Sequence, residues 1–328
     1  MIALVSRPSP EESEVGPQAW VFPGQGSQQV GMGLDLYETF PAARRVFEEA
    51  DEELGFPLSR LCFEGPEEIL RQTINAQPAI MTVSLACLQA AIEEGCLQEP
   101  AAAFMAGHSL GEYTALVAAV ALPFRHGLRL VRERGRLMQK AGERVPGAMV
   151  AIIGLPEDKV TELCYQTRAE VCNLNSPGQA VIGGTLEAVE RALEEAKARG
   201  ARQAIRLNVS GAFHTSLMGP TADGMAQAVA RTPFADAQAP IVANSTAQAI
   251  TNAEDIRREL LEQLRRPVLW QRSVEYMIGN GVTTFVEIGP GRVLTALIRR
   301  IDGTANTKNI GDVASIRREA ESGDRSDE

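Results

Sequence analysis

Short apolar blocks separated by polar turns run along this chain, and their period changes partway. Residues 19–22 are an apolar run that predicts a buried strand, followed by a loop over 23–28 rich in glycine and glutamine. Helical patterns follow at about 36–54, 66–72 and 78–95. A second apolar run, 102–106, leads into a turn and a helix from about 110. Apolar strands alternating with helices predict a parallel α/β sheet.

The pattern differs over 147–208. It reads as a strand at 148–154, a helix opened by proline at 156–166, strands at 171–174 and 180–182, a helix from the Thr185 cap to Gly200, and a strand at 204–208. That β-α-β-β-α-β order is the ferredoxin-like arrangement. The expected organisation is therefore a discontinuous α/β domain, 19–146 and 209–317, interrupted by a small subdomain, 147–208. In the resumed part, 282–288 reads as another buried strand leading into Gly289-Pro290-Gly291. The polar ends, 1–18 and 318–328, are expected to be disordered.

Composition narrows the function. With 45% hydrophobic and 23% charged residues among 328, the chain fits a soluble globular enzyme. A formal net charge of -10 argues against a nucleic-acid binder, which needs cations to displace phosphate counterions. The five cysteines form no CxxC pair and no Cys/His cluster, so neither zinc nor a disulfide framework is expected. No run approaches the ~18 apolar residues of a membrane span, and the first residues lack a signal-peptide core. A cytoplasmic protein with no membrane contact is expected.

Gly107-His108-Ser109-Leu110-Gly111 matches GxSxG between an apolar strand and a helical run, the setting of a nucleophile elbow. Small neighbours relieve the crowded turn, and the helix N-terminus favours a developing oxyanion. A serine hydroxyl needs a base, and the chain offers three histidines. His108 should diverge from its neighbour around the bend, and His126 looks like a surface or helix-start residue. His214, where the chain returns from the subdomain, is favoured; the alternative is a loop histidine with satisfied bonds. On the helix predicted over 128–138, Arg134 falls within the apolar stripe of Leu130, Val131, Leu137 and Met138, whereas Arg129, Arg132 and Arg136 share the other side. A guanidinium on a buried face must meet an anion or several acceptors. From periodicity alone it could bind a ligand, form an internal salt bridge or snorkel outward.

Together these residues resemble the malonyl-CoA:acyl carrier protein transacylases and the acyltransferase domains of polyketide synthases. The likeness covers about 19–315 and rests on six segments in order: residues 22–28, Gln77-Pro78-Ala79, residues 107–113, residues 173–179, Phe213-His214, and residues 287–291. The resemblance implies an α/β-hydrolase-like large domain with a ferredoxin-like insertion. It implies Ser109 as nucleophile, His214 as base, and an oxyanion hole from the backbone N–H groups of Gln25 and Leu110. It puts the backbone carbonyl of Gln263, rather than an aspartate, behind the histidine, and makes Arg134 the partner of the malonyl carboxylate, a role that suits its planar fork. His108, Asn173 and Asn175 match positions near the site, although asparagines before Pro-Gly are also good turn formers.

The implied reaction moves malonyl from malonyl-CoA to the phosphopantetheine thiol of an acyl carrier protein, by a monomer, with no metal or redox cofactor. A fatty-acid and a polyketide enzyme are not separable here. A serine ester or thioester hydrolase and an inactive docking module are the rivals from other classes. An acidic carrier needs a basic patch, for which Arg202, Arg206, Arg265 and Arg266 are candidates. Phe213 either limits space beside the acyl α-carbon or anchors the loop. If the first holds, Phe213→Ser will accept methylmalonyl-CoA; full discrimination retained in competition assays would rule out the steric role.

Overall fold

The computed structural model describes residues 16–97, 102–209 and 211–324. Within them the strands are, in chain order, β1 (Gln18–Phe22), β2 (Ala102–Gly107), β3 (Gly147–Ile153), β4 (Glu170–Ser176), β5 (Gln179–Thr185), β6 (Gln203–Arg206), β7 (Ile241–Val242), β8 (Ala249–Ile250), β9 (Thr284–Ile288) and β10 (Asn306–Ile310). They form two sheets. The larger has the order β10-β9-β1-β2-β7-β8 and is parallel except for β8, which returns antiparallel on β7. Strand β1 lies inside it and is covered on both faces: Trp20 and Phe22 enter one core, Ala19 and Val21 the other. Burial on both sides is why its sequence is continuously apolar instead of alternating.

The smaller sheet, β4-β5-β3-β6, is antiparallel throughout. Its strands do alternate. Val150 and Ile152 pack with Leu163, Ile182 and Val189 under the helices Glu157–Thr167 and Leu186–Ala198, while Met149 and Val181 join the core of the larger unit. The Thr185 side chain caps the second of these helices by accepting from the N–H of Ala188 at 3.2 Å. The fold is thus an α/β domain with a ferredoxin-like subdomain set against it.

Several elements depart from expectation for identifiable reasons. The helix expected over 36–54 is two helices, Leu34–Thr39 and Pro41–Leu54, because the residue before a proline is driven extended and Phe40 has φ -110°, ψ 118°. The helix expected from 78 begins at Thr73, with Pro78 inside it. Proline cannot bond the carbonyl four residues back, and that carbonyl, Ile74 O, accepts instead from Arg132 Nη1 at 2.9 Å.

The ends are corrected too. Expected disorder over 1–18 gives way from Pro17, whose carbonyl accepts from the N–H of Thr283 at 3.1 Å, and β1 starts at Gln18; residues 1–15 lie outside the described residues. The helix Val313–Asp324 runs past 317, where disorder was expected. Buried Ile316, whose carbonyl accepts from Cys96 Sγ, and a 2.8 Å Lys308–Glu319 ion pair dock it. At the junction of β1, β2 and the helix Leu110–Ala118, a side chain at Gly111 would put its first carbon 2.1 Å from Phe22 O. Only glycine lets that helix start so close to the strand ends.

Candidate active site

Ser109 occupies the bend between β2 and the helix Leu110–Ala118, at φ 53°, ψ -102°. Residues with a side chain avoid this region unless their surroundings hold them there. Asn244, just after β7, supplies that restraint: its Oδ1 accepts from the N–H of Ser109 and its Nδ2 donates to Gly107 O, both at 2.7 Å. Ser109 Oγ lies 2.7 Å from His214 Nε2, and His214 Nδ1 lies 2.7 Å from Gln263 O. A carbonyl can only accept, so the imidazole proton sits on Nδ1 and the Nε2 lone pair faces the serine.

Arg134 completes the cluster. It projects from the helix Phe124–Arg144 and is 1% exposed. Nη2 donates to Ser109 Oγ at 3.1 Å and to Gln263 Oε1 at 2.8 Å, and Nη1 donates to Gln77 Oε1 at 2.9 Å. The guanidinium carbon lies 5.2 Å from the centre of the Tyr113 ring. Of the fates open from periodicity, the internal salt bridge and outward snorkelling do not occur: Arg134 makes no ion pair among the described residues, and its hydrogen-bond acceptors are neutral. Its Nε is buried with no acceptor. Because Arg134 can only donate, the Ser109 hydroxyl hydrogen is directed to His214.

The electrostatics favour a neutral imidazole. Burial, then the nearby Arg134 charge, push His214 down to about 3, against the opposing bond to Gln263. Burial lowers His108 as well, against its bond to Asn175.

A cleft of about 480 Å³ opens above the serine between the two sheets. The loop 23–28 forms one wall; Met149, Asn173, Asn175 and Val181 of the small sheet form another, and Phe213 and His214 also line it. His108 also lines the cleft, its Nε2 2.9 Å from Asn175 Oδ1. Asn173 and Asn175 belong to β4, with the turn at Pro177-Gly178 beyond it, so neither asparagine serves as a turn former. Phe213 both lines the cleft and packs in the main core. Gln25 borders the cleft and Leu110 opens the helix; among the described residues no protein acceptor takes the backbone N–H of either. His126 sits half-buried within the helix Phe124–Arg144, away from this cleft.

Three of the four arginines considered for an acidic partner already hold carboxylates: Arg206 pairs with Glu190, and Arg265 and Arg266 both pair with Glu262. Sequence reasoning missed Asn244, Glu112 and Tyr113, and the parts played by the Gln77 and Gln263 side chains. Gln77, Glu112 and Tyr113 had carried a signal only as members of the segments Gln77-Pro78-Ala79 and 107–113, and Asn244 had carried none.

A serine at a strained bend, an oriented neutral imidazole and a buried cation within hydrogen-bond reach make a site able to form and release an ester on serine. Residues 19–322 match the acyl transferase domain family, and the chain belongs to it. It is 46% identical to the malonyl CoA-acyl carrier protein transacylase of Bacillus subtilis strain 168, over 91% of this chain and 94% of that protein. Its identity to the enzyme of the same name from Escherichia coli K12 is 43%, over 91% and 97%. The crystal structure of acyl-carrier-protein-S-malonyltransferase from Bartonella henselae superposes with a TM-score of 0.89 at 41% identity, covering 93% of this chain and 99% of that one. A malonyl-transacylase in complex with its type II polyketide acyl carrier protein superposes equally well, TM-score 0.89 at 43% identity, with the same coverage.

The lowered His214 pKa sets a pH dependence. The imidazole stays unprotonated well below the ordinary histidine value of about 6.5. Acylation of Ser109 in the free enzyme should therefore stay level from about pH 8 to pH 5 and fall only in stronger acid. A rapid-quench pH–rate profile with a midpoint near 6.5 would contradict the burial argument.

Proposed function

We propose that this enzyme transfers a malonyl group from malonyl-CoA to the phosphopantetheine thiol of an acyl carrier protein, supplying fatty-acid synthesis. Ser109 is the nucleophile. His214 Nε2 takes its proton as Oγ bonds to the thioester carbon, and the N–H groups of Leu110 and Gln25 receive the oxyanion. Collapse of the tetrahedral adduct expels the coenzyme A thiolate, which takes the proton back from the imidazolium and leaves malonyl-Ser109. The phosphopantetheine thiol then attacks the ester carbonyl by the same steps, with His214 again as base. Thioester is exchanged for thioester, so no metal or redox partner is called for.

The observation that carries the malonyl reading is Arg134: a buried guanidinium 3.1 Å from the nucleophilic oxygen, with neutral acceptors and a vacant Nε. A substrate carboxylate is the anion this cation lacks. A plain hydrolase has no use for it. The names of the relatives at 43–46% identity support the same reading.

Intact-mass measurement after mixing with malonyl-CoA tests this. The wild type should gain one malonyl group and Ser109→Ala none; an unmodified wild type would refute the acyl-enzyme. Arg134→Ala should slow malonyl transfer by the loss of charged hydrogen bonds, about 1.5–3 kcal/mol or roughly 10- to 150-fold, and should accept neutral acyl groups better. Unchanged acyl selectivity would remove the assignment of the carboxylate site.

A further inference from the structure

Beneath the serine bend lies a carboxylate to which the reaction above gives no part. Glu112, on the helix Leu110–Ala118, is 1% exposed and makes no ion pair among the described residues. Its two oxygens have separate partners. Oε1 accepts from the backbone N–H of Asn244 at 3.1 Å, and Oε2 accepts from Gln263 Nε2. Both partners belong to the site. Asn244 holds the backbone on either side of the bend. Gln263 Nε2 also donates to Ser109 O at 2.8 Å, while its Oε1 accepts from Arg134 Nη2 at 2.8 Å.

An amide side chain has two ends of nearly equal shape and opposite chemistry. A carboxylate only accepts, so Glu112 admits the Nε2 end of Gln263 and turns Oε1 toward Arg134. The Ser109 carbonyl favours the same orientation, without a charge. With the amide reversed, an NH2 would face the guanidinium, donor against donor, and Arg134 would lose one of its neutral acceptors. Glu112 is also a nearby negative charge that favours the protonated guanidinium without touching it. Arg134 Nη2, held by Gln263 Oε1, thereby keeps its place beside Ser109 Oγ. Burial and the neighbouring Glu259 push the Glu112 carboxyl well above the usual range; the bonds from Gln263 and Asn244 and the Arg134 charge act in the other direction. Both oxygens meet N–H donors, so the anion is the form the surroundings fit.

We propose that Glu112 is a positioning residue for the substrate carboxylate: by fixing the Gln263 amide it keeps Arg134 aimed beside Ser109. This rests on the malonyl reading above. It predicts selectivity for an acyl group bearing a carboxylate, beyond any effect on fold.

The test compares Ser109 acylation rates from malonyl-CoA and acetyl-CoA, by quench and intact mass, in the wild type, Glu112→Gln, Glu112→Asp and Arg134→Ala. Glutamine keeps the shape of glutamate but sets an NH2 against a donor. Aspartate is shorter but only accepts. The malonyl-to-acetyl rate ratio should fall about tenfold or more in Glu112→Gln, the scale of a lost charged hydrogen bond, and less in Glu112→Asp. If Glu112 only fills space the order reverses, because aspartate leaves a void that glutamine does not. That reversed order, or a ratio unchanged in both variants, overturns the proposal. Should Glu112→Gln fail to fold, Glu112→Asp decides alone: a ratio nearer the wild type supports the role, and one nearer Arg134→Ala overturns it. The wild type carries its own check. If it takes acetyl as readily as malonyl, the malonyl reading fails and the positioning role falls with it; a wild type that prefers malonyl leaves the variants to judge Glu112 by itself.

Discussion

Burying a guanidinium costs several kcal/mol unless its N–H groups find acceptors, and Arg134 is almost wholly out of water beside Ser109. The surrounding residues answer that constraint. Gln77 reaches it from one helix, Gln263 from the end of another, and Ser109 from the bend after β2. Each offers a neutral oxygen. The cation is therefore solvated by dipoles but not neutralised by a direct ion pair, which leaves it able to gain from an incoming anion. The same contact directs the serine hydrogen to His214, so one buried charge both lacks a counter-ion and orients the Ser109 hydroxyl.

The choice of partner behind the histidine follows the same logic. Gln263 gives its backbone carbonyl to His214 Nδ1 and its side-chain oxygen to Arg134. A carbonyl fixes the tautomer without adding a negative charge. A carboxylate in its place would raise the imidazole pKa and could pair with Arg134. The neutral arrangement keeps His214 unprotonated and the cation available. Its cost is weaker stabilisation of imidazolium than a carboxylate gives.

The scaffold exists to hold these groups at short range. The strained conformation of Ser109 survives because Asn244 grips both sides of the bend and because Gly107 and Gly111 allow helix and strand to touch. The small sheet closes the cleft from the opposite side. One face of β3 serves the subdomain's own core, and the other presents Met149 toward the serine. Alternation along a strand thus makes a single element both a structural support and a wall of the site.

The order of apolar runs was enough to find β1, β2 and the β-α-β-β-α-β insertion, because each buries a face whose period survives in the sequence. GxSxG, the scarcity of histidine and the position of Arg134 on an apolar stripe were also local facts, readable without coordinates. The two-residue strands β7 and β8 and the polar edge strand β10 leave no periodic trace, and the helix after Thr73 hid its start because the carbonyl freed by Pro78 is satisfied by a distant arginine. The contacts of Asn244, Glu112 and the Gln263 side chain were invisible for a related reason. A hydrogen bond between residues more than a hundred positions apart imposes no spacing on the chain. Sequence alone determined which residue types were present to do chemistry and which faces had to be buried. Tertiary packing alone decided that Arg134 would meet neutral oxygens instead of a carboxylate, since that depends on what the fold brings alongside it.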